Sequence, residues 1–91
     1  MKQVPLKQGE TMLYATAQKR QDGALTLLTW KKDRSVTVKV SGGTIELTED
    51  GYERATTTYA TPHDLKGPLR EACKREFPRS NRVYVATPGA D

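Results

Sequence analysis

LTLLTWKKDRSVTVKVSGGTIEL, residues 25–47, carries two strand pairings at once. The loop Gly42-Gly43 joins SVTVKV to TIEL, and two-residue Gly-Gly loops favour tight hairpin turns whose twist matches the flanking strands. This loop sets Val40 opposite Ile45, Lys39 opposite Glu46, Val38 opposite Leu47 and Thr37 opposite Thr48. Apolar meets apolar, charge meets opposite charge and threonine meets threonine, as stable cross-strand pairs do. A slip of one residue would turn every valine to the wrong face, so the register is tightly determined.

Outward from this hairpin, ALTLLTW joins SVTVKV through Lys31 to Arg34, which sets Leu25 against Val40 and Leu27 against Val38. TMLYATAQ, residues 11–18, is expected as a preceding strand across the three-residue loop Gln21-Asp22-Gly23. In that reading Ala17 opposes Leu27, Gln18 opposes Thr26 and Tyr14 opposes Trp30. A further turn around Asp50-Gly51 leads into ERATTTYA, with a three-residue loop pairing Glu46 with Arg54 and Ile45 with Ala55. The first ten residues are expected to form a flexible N-terminal segment.

After the strands the period changes. Leu65, Leu69, Ala72, Cys73 and Phe77 follow helical spacing, Thr61 and Asp64 offer caps, and Pro78 stops the helix. Pro68 breaks a helix interior, so the regular helix is expected to start near Gly67 or Pro68. Arg82 to Ala86 reads as a last short strand with Val83 and Val85 inward. The expected fold is α+β in one domain spanning 1–91: an antiparallel meander of about five strands, one C-terminal helix on one face and a short final strand. With the last strand returning beside the first, the expected order is 6-1-2-3-4-5. In outline only, a curved antiparallel sheet followed by a helix is similar to single-strand-binding transcriptional coactivators; that likeness rests on no motif and assigns no residues.

Composition narrows the function classes. The 91 residues include 12 threonines, the hydrophobic fraction is 35%, and the formal net charge is +4 with a pI near 9.4. No apolar run approaches the roughly 18 residues of a membrane span, and MKQVPLKQGE lacks the apolar centre of a secretory signal. Cys73 is the only cysteine, so no internal disulfide forms, and a cytoplasmic location is expected. Basic charge gathers in residues 18–40 and 66–82, while residues 44–54 are acidic. Such a chain attracts polyanions at low salt.

Catalytic motifs are missing. His63 stands alone in a turn, Cys73 lies on the apolar helix stripe, and Gly42-Gly43 precedes no helix. Glu46, Glu49, Asp50 and Glu53 lack calcium-loop spacing and read as a solvated hairpin tip. No enzyme, cofactor, metal or small-molecule substrate is expected. The sheet face away from the helix is expected to collect Tyr14, Trp30 and Tyr52 for base stacking, with Lys31, Lys32, Arg34, Lys39 and Arg54 for phosphates. That chemistry fits single-stranded nucleic acid; the alternative is protein contact or homodimerisation through the same face, as in an accessory protein of a phage, plasmid or operon. A second basic feature is the column Lys66, Arg70 and Lys74 at spacing four, which costs the helix a few tenths of a kcal/mol per pair.

Overall fold

The structure is a computed structural model that describes residues 2–19, 21–29, 31, 33–51, 54–78 and 81–87. Eight elements follow one another: β1 (Lys2–Pro5), α1 (Leu6–Lys19), β2 (Gly23–Leu28), β3 (Ser35–Ser41), β4 (Thr44–Asp50), β5 (Arg54–Tyr59), α2 (Pro62–Glu76) and β6 (Arg82–Ala86). The strands form one antiparallel sheet in the order β1-β6-β2-β3-β4-β5. Both helices lie on one face, α1 over β2, β3 and β6, and α2 over β3, β4 and β5. The α+β class and the antiparallel sheet match expectation; the strand set and the number of helices do not. No helix among the described residues is long and apolar enough to cross a membrane.

The central hairpin has the expected register, from Ser41↔Thr44 through Val40↔Ile45 and Lys39↔Glu46 to Thr37↔Thr48. Gly42 and Gly43 have φ of 59° and 84°, the two positive values that a type I′ turn requires. The turn amide of Gly42 donates to Asp22 Oδ1 at 3.1 Å, tying the α1–β2 loop to this hairpin.

The flanking registers differ from expectation by even steps. β2 and β3 pair Leu25↔Val38 and Leu27↔Val36, two residues from the expected register. A longer loop accounts for the shift: the Thr29 amide donates to the Arg34 carbonyl at 3.1 Å, and the Thr29 hydroxyl donates to Asp33 at 2.9 Å. β4 and β5 pair Asp50↔Arg54, Glu49↔Ala55 and Ile45↔Tyr59, across a three-residue loop placed later in the chain than expected. Here an Arg54–Asp50 ion pair at 3.2 Å and a Thr48–Thr56 hydroxyl contact at 3.3 Å favour the observed pairing. Even steps leave each residue on its face, so Leu25, Leu27, Val36, Val38, Val40, Ile45 and Leu47 are all buried as expected.

The main correction is residues 6–19. TMLYATAQ is not a strand but the body of α1, so its expected pairings with β2 do not exist. Leu13 and Ala17 fit a period of two, yet they also continue the four-residue spacing begun at Gly9, and Gly9, Leu13 and Ala17 are the buried positions. Ala15, which lies off this stripe, is only half-buried. Thr11 and Thr16 settle into the helix by donating to the carbonyls of Lys7 and Met12, each at 3.0 Å. Gly9 lets α1 approach closely, because a Cβ there would stand 3.0 Å from both Leu27 Cδ2 and Val83 Cγ2.

The N-terminal segment is also part of the sheet. β1 pairs with β6, Val4 opposite Val83, and the Leu6 amide donates to the Asn81 carbonyl at 2.9 Å. With no strand at 11–18, β6 inserts between β1 and β2 and pairs Leu27↔Val85. α2 starts at Pro62 instead of near Gly67, because Thr61 caps it through the Asp64 amide at 3.2 Å and fully buried Leu65 anchors its first turn. Pro68 therefore lies inside the helix, where it forgoes one backbone bond.

Candidate nucleic-acid interface

The sheet face opposite the helices is polar and ordered in rows. Thr26, Thr37, Thr48 and Thr56 stand side by side across four strands, and the Thr26 and Thr37 hydroxyls meet at 2.9 Å. Beside this row, Ala24, Lys39, Glu46 and Thr58 form a second. The third runs through Tyr84, Leu28, Ser35, Asp50 and Arg54. Lys39 faces Glu46 and Arg54 pairs with Asp50, so the charges of this face are largely matched within it.

Among the described residues expected to form one platform, Tyr14 lies apart from Lys39 and Arg54. Tyr14 is on α1, half-buried against the core on the helical side of the sheet. Lys31 is exposed in the β2–β3 loop, and Lys39 and Arg54 are exposed on the polar face. Arg34 is half-buried and packs by its stem against Gly51, where a Cβ would lie 2.7 Å from Arg34 Cγ. Trp30, Lys32 and Tyr52 lie outside the described residues, as does Glu53 of the acidic hairpin.

Glu49 departs from the solvated tip expected of that hairpin. It is 4% exposed on the helix side of β4, and Arg75 of α2 holds it through two bonds, Nε to Oε2 at 2.8 Å and Nη2 to Oε1 at 2.7 Å. Arg75 thus reaches across from α2 to the sheet. The guanidinium hydrogen bonds hold the Glu49 acid below its ordinary range against the opposing effect of burial, and a hydrogen bond from Glu76 acts in the same direction. Glu76 is itself buried, and a Cβ at Gly51 would lie 2.5 Å from its Oε1, so α2 packs closely on the β4–β5 loop. Among the described residues no buried side-chain polar atom lacks a partner.

The basic charge collects elsewhere, along the seam between α1 and α2. One cavity of about 150 Å³ there is lined by Glu10, Thr11, Tyr14, Lys66, Leu69 and Arg70. A second of about 610 Å³ continues from Glu10 and Arg70 past Lys7, Lys74, Leu6 and Phe77. The groove therefore presents four cations, Lys7, Lys66, Arg70 and Lys74, and one carboxylate. None of the four cations is in an ion pair with a described residue. Lys66, Arg70 and Lys74 rise along α2 in steps of roughly 6 Å, so they form a linear array on one wall. Lys7 sits in the first turn of α1, where the helix carries no acid and a cation opposes the dipole. Both helices thus accept a local cost that concentrates positive charge on the groove.

The column on α2 was legible in the sequence, and Tyr14 was read as a stacking residue, though on a strand; Lys7 was missed because it fell in the N-terminal segment expected before the sheet. The signal that would have placed both on a helix is the four-residue spacing Gly9, Leu13, Ala17. Cys73 is buried, and burial pushes its thiol up to about 12, so it stays protonated at neutral pH. His63 is exposed in the first turn of α2. Among the described residues no three His, Cys, Asp or Glu side chains gather as a metal site. No family model matches the chain, and neither does any curated protein or solved structure.

Proposed function

We propose that this protein is a small, non-enzymatic binding module for single-stranded nucleic acid, and that the strand lies in the groove between α1 and α2. Lys7, Lys66, Arg70 and Lys74 follow the phosphates, and the ring of Tyr14 takes a base. The carrying observation is the convergence of these four unpaired cations beside an aromatic ring, whereas Lys39 and Arg54 on the polar sheet face stand with Glu46 and Asp50. A cationic groove with an aromatic stacking surface is the combination that binds single strands without reading their sequence. Protein contact through the outer sheet face has less to act on, since beyond Ala24, Leu28 and Tyr84 its described part is threonine rows and matched charges.

Fluorescence anisotropy with a labelled single-stranded oligonucleotide tests this reading. At ~50 mM salt binding is expected, and four phosphate contacts give a log–log salt slope of about −3. Arg70→Ala or Lys66→Ala should each flatten that slope by about 0.7. Tyr14→Leu keeps an apolar body against the core and should weaken binding by about 1–3 kcal/mol with little change in slope. Lys39→Ala should leave both quantities unchanged. Absence of binding at low salt, or loss of slope from Lys39→Ala and not from Arg70→Ala, would overturn the assignment.

A further inference from the structure

The two edges of the sheet are built differently. β1 is four residues long and carries Lys2 and Pro5, two devices that stop an edge from pairing further. β5 is six residues long, RATTTY, with strand-forming threonines and tyrosine, no proline, and a single charge at its start. Its residues Arg54 to Thr58 are all exposed, and among the described strands it pairs only with β4. An edge this long and this neutral is normally covered.

We propose that β5 pairs antiparallel with β5 of a second copy of this chain, about a two-fold axis at Thr57, so that the two sheets run on as one. In such a pair opposed residues share a face of the sheet. Ala55, Thr57 and Tyr59 point to the helix side, opposite Glu49, Leu47 and Ile45, and Thr56 and Thr58 point to the polar side. Centring on Thr57 sets Thr57 against its own copy, Thr56 against Thr58 and Ala55 against Tyr59. The threonine rows then extend across the junction, and the largest side chain of the strand meets the smallest. Centring on Thr56 instead would bring Arg54 into the ladder and leave Tyr59 out.

The space above the strand agrees with this register. Between β5 and α2 lies a cleft of about 110 Å³, lined by Ala55, Thr57 and Tyr59 and by Pro68, Ala72 and Arg75. The protomer's own α2 leaves room over Ala55, and the partner's ring at position 59 comes to that place. A second copy is favoured over a foreign strand because the segment is complementary to itself and carries no charge pattern that would select another sequence. The dimer is independent of the nucleic-acid reading, since the cleft and the groove lie on opposite sides of α2.

Sedimentation equilibrium of the full chain tests the proposal, with wild type expected to be dimeric at ~100 µM and to dissociate on dilution. Thr57→Lys and Thr57→Glu alter a side chain exposed in the protomer, so each should keep the circular dichroism of the wild type. Each places like charges face to face and should weaken dimerisation several-fold. Mixing the two variants should restore it as a heterodimer. A wild type that stays monomeric to ~500 µM, or charge variants that dimerise as well as wild type, would overturn the proposal. Should either variant fail to fold, hydrogen exchange of the wild type decides: β5 amides facing away from β4 gain protection with concentration, and unchanged exchange contradicts the pairing.

Discussion

Leu27→Ala is expected to cost about 3–4 kcal/mol of stability, near the middle of the range for buried leucine truncations. Leu27 is fully buried at the centre of the sheet, between Val36 on β3 and Val85 on β6. Its methyls also lie beneath Gly9 of α1, where a Cβ would stand 3.0 Å from Leu27 Cδ2 and 3.1 Å from Leu27 Cδ1. The site cannot collapse easily, because rigid strands flank it and a helix backbone caps it, so most of the cavity should persist. Leu28→Ala, one residue along on the polar face, should cost under ~1 kcal/mol. Urea denaturation of both variants checks the pair, and similar losses would mean that β2 faces the wrong way.

The second large effect belongs to Arg75→Ala. Removing the guanidinium strands the Glu49 carboxylate in a site that is 4% exposed. Breaking a fully sequestered pair costs about 3–5 kcal/mol, and the 37% exposure of the Arg75 side chain lowers the expectation to about 2–3 kcal/mol at neutral pH. The pH dependence gives this loss a signature. In the wild type the folded-state Glu49 acid is depressed, chiefly by its hydrogen bonds to Arg75. Its stabilisation is therefore present above the unfolded glutamate value of about 4.3 and is lost as pH falls through the depressed folded value. In Arg75→Ala, burial remains without the guanidinium and pushes the acid the other way, so protonation relieves the variant. The gap in urea midpoint between the two proteins should be wide at pH ~7 and narrow below pH ~4. A gap that does not change with pH would assign the loss to packing of the arginine stem.

How far the sequence led can be stated residue by residue. The β3–β4 hairpin was legible to the register because Gly42-Gly43 leaves one turn geometry and the valines allow one face. The neighbouring registers were not, since the loops after Leu28 and Asp50 take their length from contacts such as Thr29–Arg34 and Arg54–Asp50 that no local pattern specifies. The core survived those shifts because both were even. α1 was lost because Leu13 and Ala17 satisfy two periods, and the deciding feature, the close seat of Gly9 on Leu27 and Val83, is tertiary. The same holds for Glu49, whose partner Arg75 is 26 positions away. Lys66, Arg70 and Lys74 were visible as a column and Tyr14 as a stacking residue; that they share one groove with Lys7 appeared only once the chain was folded.

An amide-resolved NMR titration with an unlabelled single-stranded oligonucleotide bears most directly on where this protein binds. Shifts are predicted to concentrate on Lys7, Glu10, Tyr14, Lys66, Arg70 and Lys74, with Thr26, Thr37 and Lys39 of the polar sheet face unmoved. Shifts concentrated on the threonine rows, with α1 and α2 silent, would contradict the account.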